Sequence, residues 1–271
     1  HKVGDFVSSE SHIVDADDPD YLRGDGHIAQ STRLLGVDVD GGFAPYAVIP
    51  AMNARHTPDS VPKSVASMQD ALGNAVHTAM DGPIEGQKIL ITGMGPIGLF
   101  AVAICKCLGA EKIYATEVSP YRFALAEQLG ADVVLNPAKD DVSSTLMKME
   151  PRGIDGTLEM SGKASALSLA LDHTRPGGRV SLLGLYADSE IGVDLNRLIF
   201  NRRLFSTGFA PHRALGTVAL RLQRRLPVAV TDFEDFPHID RWNFGLLDRA
   251  TLFFKRELPP DEWRVFSKTA T

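Results

Sequence analysis

The sequence has 271 residues, with 28 basic and 34 acidic side chains, a formal net charge of −6 and 44% hydrophobic residues. This length suits two ordinary domains or one large domain, and the composition excludes collagen, coiled coil and intrinsic disorder. The lysines and arginines are scattered and outnumbered by acidic residues, so no basic face for a phosphate backbone is predicted. We therefore predict no nucleic-acid partner.

The two cysteines, Cys105 and Cys107, lie two residues apart in an apolar segment. They are too few for a disulfide framework, and a metal site would need two more ligands, so we predict that they pack beside a helix core. This cysteine usage predicts a reducing compartment, the cytoplasm. The longest apolar run, near Ile97, is far shorter than the ~20 residues that span a bilayer, so no membrane partner is predicted. The chain starts at His1 without a signal-like segment, which predicts an internal starting point.

The first part of the chain, residues 1–70, is rich in Gly, Asp and Ser and contains short alternating segments such as residues 44–50. Such segments are typical of small antiparallel strands and loops. The acidic stretch at residues 15–20 predicts an exposed loop, because several carboxylates and a proline are costly to bury. Near-helical apolar spacing predicts a helix from Ser67 to Met80, which Asp81-Gly82-Pro83 ends.

From Lys88 onward, short apolar strands alternate with helices. Strands are predicted at residues 88–92, 112–116, 132–136, 156–160 and 179–184. Helices are predicted at residues 96–108, closed by Gly109, and 121–129, ended by Gly130, and the turn Pro176-Gly177-Gly178 is predicted before the fifth strand. This regular alternation, with near-continuous apolar strands, is typical of an α/β fold with a doubly wound parallel sheet covered on both faces.

The turn Gly93-Met94-Gly95-Pro96-Ile97-Gly98 joins the first of these strands to its helix, and Glu117 ends the next strand. Gly93 would turn the chain, Gly95 would let the backbone approach a pyrophosphate, and Gly98 would let helix and strand pack closely. The helix N-terminus would face the diphosphate with free N–H donors. Glu117 can accept hydrogen bonds from a ribose diol, and its charge repels a 2′-phosphate. The pattern therefore predicts a site for NAD rather than NADP.

Other interpretations of this turn stay open. The glycines could serve only turns and packing, and S-adenosylmethionine sites also pair a glycine loop with a strand-end acid. Arg122, five residues after Glu117, either stacks on adenine or is a solvated helix residue.

Composition changes again after about His212, where a basic helix ending at residues 221–225 is followed by an aromatic-rich tail. The tail would pack on the domain or mediate association, and its fold does not follow from the sequence. We predict a partial β-rich domain over residues 1–75, a Rossmann-type NAD-binding domain over 76–212, and a divergent C-terminal region over 213–271.

Over residues 2–210 the sequence resembles the zinc-dependent medium-chain dehydrogenases, most closely the L-threonine 3-dehydrogenases. The resemblance is carried, in matching order and spacing, by Gly73-Asn74-Ala75-Val76-His77-Thr78-Ala79, the glycine turn, Leu158-Glu159-Met160-Ser161-Gly162 and Leu195-Asn196-Arg197-Leu198-Ile199-Phe200. It implies a Rossmann sheet beside a small GroES-like β-rich catalytic domain, of which residues 1–75 would be a remnant. It also implies a homo-oligomer acting on a small-molecule alcohol.

The resemblance implies roles for individual residues. Asp70 falls where the family has an acid beside the catalytic metal that assists proton relay, although an ordinary helix N-terminal acid is the alternative. His77 repeats a family string, and a packing role is the simpler interpretation. The implied cofactor-binding residues are Gly93, Gly95, Pro96, Ile97, Gly98, Glu117 and Arg122 at the nucleotide, with Leu183, Gly184, Leu185, Phe209 and Ala210 along the nicotinamide side.

The sequence departs from the family at its metals. The family's catalytic zinc ligands, a Cys and a His-Glu pair, precede the segment Lys2-Val3-Gly4-Asp5, so no metal ligand is assigned in this sequence. The four thiolate positions of the family's structural zinc lobe are here Asp15, Asp18, Tyr21 and Ala29. Tyr and Ala cannot complete a tetrahedral zinc site, so the structural zinc is predicted absent. Calcium bound by the acidic stretch is an alternative to a solvated loop.

The residues and the resemblance together predict an NAD-dependent oxidoreductase that oxidises a secondary alcohol, such as the β-hydroxyl of L-threonine, to a ketone. The alternative is a truncated or degenerate relative that binds NAD without catalysis. A third hypothesis is a nucleotide-dependent enzyme of another class, such as a methyltransferase.

Overall fold

The computed structural model describes residues 1–188, 190–201 and 204–207, together with two short strands, β11 (Phe253–Phe254) and β12 (Val265–Phe266), which pair antiparallel. His1–Asp70 belong to one compact unit, and a second unit begins at Ala71. The basic helix predicted near residues 221–225 lies outside the described residues. Among the described residues, none of the helices combines the length and the apolar content needed to cross a membrane.

Short strands paired antiparallel organise the first 70 residues, the type of structure that was predicted for this part of the chain. The elements are β1 (Val7–Ser9), β2 (His12–Ile13), α1 (Pro19–Leu22), β3 (Arg33–Leu34), β4 (Ala54–His56) and α2 (Lys63–Ala66), with 3-10 turns at Gly26–Ile28 and Ala51–Asn53. β1 pairs with β4, and β2 pairs with β3. The buried amide of Asn53 donates to the carbonyl oxygens of Glu10 and His12, at 3.1 and 2.8 Å, and so links the two pairs.

Two sequence predictions for this unit were wrong. Residues 44–50 form no strand, and the prolines at both ends of the alternating part, Pro45 and Pro50, cannot donate ladder hydrogen bonds. The acidic stretch is not a fully exposed loop, because Asp18 is buried and its carboxylate accepts the amide of Asp20 at 2.8 Å to cap α1. Backbone donors compensate a carboxylate that caps a helix, so burying it costs little free energy.

The second unit is built on a parallel sheet, which confirms the predicted α/β fold class. Its elements are α3 (Gln69–Met80), which begins at the junction of the two units, then β5 (Lys88–Thr92), α4 (Pro96–Cys107), β6 (Lys112–Thr116), α5 (Pro120–Leu129), β7 (Val133–Leu135), α6 (Val142–Met149), β8 (Ile154–Glu159), α7 (Ala164–His173), β9 (Thr174–Leu182), α8 (Leu195–Asn201) and β10 (Leu204–Thr207). The strand order is β10-β9-β8-β5-β6-β7, and every neighbouring pair is parallel.

The five predicted strands are confirmed, with two differences. A sixth strand, β10, was missed. β9 starts at Thr174, before the predicted turn. Thr174 already pairs with Ile154 of β8, and the next pair joins Arg179 to Gly156. The residues between these two pairs, including the Pro176-Gly177-Gly178 turn, bulge out of the ladder rather than precede the strand.

Apolar burial on both faces of the sheet explains the continuous apolar strands. Ile89, Leu90 and Ile91 of β5 are fully buried, and Leu90 lies in one core cluster with Tyr114 and Leu146. The helices end where the glycines predicted, since Gly109 and Gly130 have φ of +80° and +105°.

The strand order places β5 between β6 and β8, and this position prepares a binding site. Successive connections leave β5 on one side towards β6 and β7, and on the other side towards β8, β9 and β10. Loops at the carboxyl ends of the strands diverge at such a switch point and open a crevice, which is where ligands bind in open α/β sheets. The glycine turn follows the carboxyl end of β5.

Glu150 generates a pH-dependent prediction. Its carboxylate accepts hydrogen bonds from Lys88 Nζ and the Tyr114 hydroxyl, both at 2.5 Å. Burial raises the pKa of Glu150, but these hydrogen bonds and the charges of Lys88 and Lys112 together outweigh burial and hold the pKa below its usual value. A lowered folded-state pKa stabilises the fold above the unfolded pKa of about 4.3, and this contribution is lost as the pH falls through the lower folded-state value.

We expect Glu150→Gln to lower the free energy of unfolding at neutral pH by about 1–3 kcal/mol. The variant should also lose less stability than the wild type between neutral pH and pH 3, as measured by urea unfolding. An equally steep acid loss in both proteins would contradict this assignment.

Candidate functional site

The first turn after β5 requires glycine. Gly93 has φ of +82°, and a Cβ atom there would lie 2.8 Å from the Cα atom of Ser161. Its amide donates to the carbonyl of Thr116 at 3.0 Å. The turn therefore packs between the end of β6 and the segment that follows β8.

Gly98 and Gly95 are glycines for different reasons. A Cβ atom on Gly98 would lie 1.9 Å from the carbonyl oxygen of Gly93, so only glycine lets α4 pack this close to the turn. Gly95 has φ of −66° and ψ of −178°, which any residue can adopt, and nothing lies within 4 Å of the position of its Cβ atom. The space over Gly95 is open.

The N-terminus of α4 offers hydrogen-bond donors. The helix begins at Pro96, which has no N–H, and Leu99 donates its amide to the carbonyl of Gly95 at 3.0 Å. The amides of Ile97 and Gly98 lie in the first turn, ahead of that bond, and the N-cap residue Gly95 has no side chain to cover them. Such a helix end attracts anions through its N–H groups and its dipole.

Glu117 holds the glycine turn to the end of β6. Its side chain is buried, and its carboxylate accepts the amide of Met94 at 2.9 Å. The other oxygen accepts the amides of Val118 and Ser119 at 2.9 and 2.8 Å. A carboxylate has about four acceptor positions, so the three amides leave one for a ribose hydroxyl. Two hydrogen bonds from a ribose diol would exceed this capacity, so one acceptor position would have to serve both a backbone amide and a ribose hydroxyl.

Arg122 lies next to Glu117 and is half-exposed. Its Nε atom is 3.8 Å from a carboxylate oxygen of Glu117. The guanidinium therefore lies beside the Glu117 carboxylate and partly compensates its charge.

The segment Leu183-Gly184-Leu185 follows β9 and crosses the end of β8. The amides of Leu183 and Gly184 donate to the carbonyl of Glu159 at 2.9 and 3.1 Å. A Cβ atom on Gly184 would lie 2.2 Å from the amide nitrogen of Gly162, so the segment requires glycine at this crossing. Leu185 is exposed. Phe209 and Ala210, assigned to the same side from the resemblance, lie outside the described residues.

Glu159 has no role predicted from the sequence, yet it lies at the centre of this end of the sheet. Glu159 is fully buried, and its carboxylate accepts the amides of Ser161 and Gly162 and the hydroxyls of Thr92, Ser161 and Tyr186. The signal in the sequence was an acid at the carboxyl end of a predicted strand, the same signal that singled out Glu117.

Comparisons with known proteins show the family to which this sequence belongs. The family model for zinc-binding dehydrogenases matches residues 96–217. An L-threonine 3-dehydrogenase from Pyrococcus abyssi is 41% identical over 246 residues, which cover 87% of this chain and 70% of that protein. The chain belongs to the zinc-binding dehydrogenase family. The predicted resemblance to medium-chain dehydrogenases is thereby confirmed.

Further relatives of this dehydrogenase support the assignment. An L-threonine 3-dehydrogenase from Pyrococcus furiosus is 44% identical over 204 residues, which cover 75% of this chain and 58% of that protein. The solved alcohol dehydrogenase from Thermus sp. ATN1 superposes with a TM-score of 0.75 at 28% identity, covering 83% of this chain and 68% of that one. The chain thus spans between just under three fifths and seven tenths of the length of these relatives. Family membership supports NAD(P) as the cofactor class.

Asp70, the candidate proton relay residue of this dehydrogenase, lies in the first turn of α3 and is exposed. The negative charge of Asp70 helps to raise the pKa of His12, a residue with no role predicted from the sequence. A hydrogen bond to Glu10, 2.6 Å from His12 Nδ1, raises the pKa of His12, burial opposes the rise, and the charges of Glu10 and Asp70 add to it. His77 is half-buried in α3, where burial lowers its pKa.

The described residues of this dehydrogenase do not fit a zinc ion. They bring together no group of three or more His, Cys, Asp or Glu side chains that could hold a metal. Cys105 is buried in α4, and burial raises its pKa to about 12, which opposes the thiolate that zinc requires. No catalytic step is therefore assigned to zinc.

The lobe at residues 15–33 is held by hydrogen bonds. The Asp18 carboxylate accepts the amide and hydroxyl of Ser31 at 3.2 and 2.7 Å, which lowers the pKa of Asp18. Tyr21 is exposed and Ala29 is buried, and neither supplies a zinc ligand. Asp15 and Asp20 form ion pairs with Arg33 and Arg23. These carboxylates are thus committed to protein partners, which argues against the calcium alternative.

The two glycines of the turn generate a paired stability prediction. Gly98→Ala forces a methyl group onto the Gly93 carbonyl, so we expect a loss of stability of about 3 kcal/mol or more, or failure to fold. Gly95→Ala places its methyl group in open space, so we expect the free energy of unfolding to stay within about 0.5 kcal/mol of the wild type. Urea unfolding measures both variants. Equal losses would show that the turn is not packed as described.

Proposed function

We propose that this dehydrogenase binds NAD across the carboxyl ends of β5, β6 and β8, and uses it to oxidise the β-hydroxyl of L-threonine to a ketone. The observation that carries the proposal is the glycine turn, where open space over Gly95 adjoins the first-turn amides of Ile97 and Gly98. A pyrophosphate fits this combination of close backbone approach and directed N–H donors. The names of the Pyrococcus relatives support the substrate.

The chain's own residues divide the work of this reaction. The alcohol carbon gives up a hydride while its hydroxyl gives up a proton, and the bound dinucleotide supplies the hydride acceptor. The Leu183–Leu185 segment would hold the nicotinamide side, where Leu185 offers an exposed apolar side chain. Asp70, an exposed carboxylate, passes the proton to solvent.

Glu117 favours NAD over NADP. Its carboxylate is fixed by three backbone amides at the position where the adenosine ribose would lie. A 2′-phosphate there would bring a second negative charge close to a buried one, and such like-charge contacts are costly. The Nε atom of Arg122 is 3.8 Å from the same carboxylate. The positive charge of Arg122 is therefore partly compensated by Glu117 and is not available in full to a phosphate.

The cofactor choice is tested by binding. We expect the wild-type protein to bind NADH at least about tenfold more tightly than NADPH, because one such repulsion exceeds 1.4 kcal/mol. Titration followed by the fluorescence of the reduced nicotinamide measures both affinities. Gly95→Ala serves as the matched variant, since its methyl group fills the phosphate space without disturbing the fold, and it should weaken both ligands. Equal affinity for NADH and NADPH would contradict the role of Glu117.

The reaction is tested by adding NAD and candidate alcohols to the protein. We expect L-threonine-dependent formation of NADH, followed by its absorbance, and little NADH formation with L-serine, whose hydroxyl is primary. Asp70→Asn should lower kcat more than it changes NADH affinity, because the side chain acts on the proton and not on the dinucleotide. NADH binding without turnover of L-threonine or any other secondary alcohol would overturn the catalytic proposal and support the alternative of a non-catalytic NAD-binding relative.

A further inference from the structure

Glu159 is a charged side chain that the proposed reaction does not use, and it is fully buried at the site. Taking a carboxylate out of water costs several kcal/mol unless surrounding donors compensate it. Here the donors are supplied from three strand ends: the hydroxyl of Thr92, the last residue of β5, the Ser161 and Gly162 groups after β8, and the Tyr186 hydroxyl after β9. All of these partners donate, which matches the acceptor-only character of a carboxylate.

Tyr186 reaches this carboxylate from the segment that follows β9. Its hydroxyl donates to Glu159 Oε2 at 2.5 Å. Its ring packs against the apolar cluster that contains Leu167, Leu171 and Val180. Burial and the hydrogen bond to Glu159 raise the pKa of Tyr186, so the hydroxyl keeps the proton that it donates. The tyrosine is thereby held at both its ring and its hydroxyl.

The main chain between β9 and Tyr186 is pressed onto the same acid. The carbonyl of Glu159 accepts the amides of Leu183 and Gly184, and a Cβ atom on Gly184 would lie 2.7 Å from Glu159 Oε2. Glu159 therefore fixes the segment from its main-chain oxygen at one end and, through Tyr186, from its carboxylate at the other. Leu185 lies between these two attachments.

The same carboxylate also fixes the distance to the glycine turn. It accepts the amide of Ser161 at 2.8 Å. Ser161 in turn packs against Gly93, since a Cβ atom on Gly93 would lie only 2.8 Å from the Cα atom of Ser161. The contact between Ser161 and Gly93 thus connects the Glu159 cluster to the turn that would hold the pyrophosphate. One buried acid links the two segments that would hold the two ends of a nicotinamide nucleotide.

We propose that Glu159 and Tyr186 are positioning residues that fix the Leu183–Leu185 segment relative to the glycine turn, and so set how the nicotinamide ring is held. The pair acts through the segment and touches neither the substrate nor the dinucleotide. The inference rests on the proposed NAD site for its functional consequence, but the fixing of the segment is a property of the free protein and is tested separately.

The chain offers a matched control for this pair. Tyr114 donates its hydroxyl to Glu150 at 2.5 Å, the same distance as between Tyr186 and Glu159. Glu150 follows α6 and contacts Lys88 at the start of β5, so this second pair lies at the amino end of the sheet, away from the glycine turn. Tyr114→Phe and Tyr186→Phe each delete one hydroxyl and keep the ring.

The first test uses the protein without cofactor. Hydrogen-deuterium exchange should be faster in Tyr186→Phe than in the wild type at the amides of Gly162, Leu183 and Gly184, because the segment has lost one attachment. Tyr114→Phe should leave exchange at these amides unchanged. Equal exchange of these amides in the wild type and Tyr186→Phe would overturn the proposal, whatever the protein binds.

The second test compares two ligands. Tyr186→Phe should weaken NADH binding by about tenfold, the value of one hydrogen bond to a charged group, while ADP-ribose, which lacks the nicotinamide, keeps its affinity within about twofold. Tyr114→Phe should leave both affinities unchanged. A parallel loss of NADH and ADP-ribose affinity in Tyr186→Phe would show a purely structural role and overturn the inference.

The proposed function fails separately from the inference. If the wild type binds neither NADH nor ADP-ribose, the NAD site is wrong, and the exchange experiment alone decides whether Glu159 and Tyr186 fix the segment.

Discussion

The close packing of α4 against the exit of β5 is the constraint on which the rest of the site depends. The Cα atom of Gly98 lies so near the carbonyl of Gly93 that no side chain fits between them. This contact brings the first turn of α4 directly over the carboxyl end of a central strand. Backbone N–H groups are then aimed into the crevice where the strand order reverses, and an anionic ligand can be held there without any charged side chain.

Two buried acids flank that turn and keep it in place. Glu117 follows β6 and Glu159 ends β8, the two neighbours of β5, and each carboxylate accepts backbone amides from the loop beside it. The loops at this end of the sheet are therefore ordered by charge-assisted hydrogen bonds, which are stronger than neutral ones. A site ordered before its ligand arrives loses less conformational entropy on binding.

The sequence predicted the sheet well because strands buried on both faces are continuously apolar, as in β5 and β6. The strand β10 was missed because it is short and two of its residues are polar. A turn was predicted at Pro176-Gly177-Gly178, where the structure has a bulge inside β9, because turns and bulges favour the same residue types. The glycine turn and Glu117 could be found because their spacing is local. The role of Glu159 could not, because its partner Tyr186 is 27 residues away and only the packing of β8 against β9 brings them together.

We propose that the amides at the start of α4 bind the phosphates of a dinucleotide. Two-dimensional ¹H–¹⁵N spectra of the labelled protein, recorded during titration with NAD, test it most directly. We expect saturable shifts of the Gly95, Ile97 and Gly98 amides, with Gly109 and Gly130 at the far ends of α4 and α5 unaffected. Saturable binding that leaves the first-turn amides of α4 unshifted, or no binding at all, would contradict it.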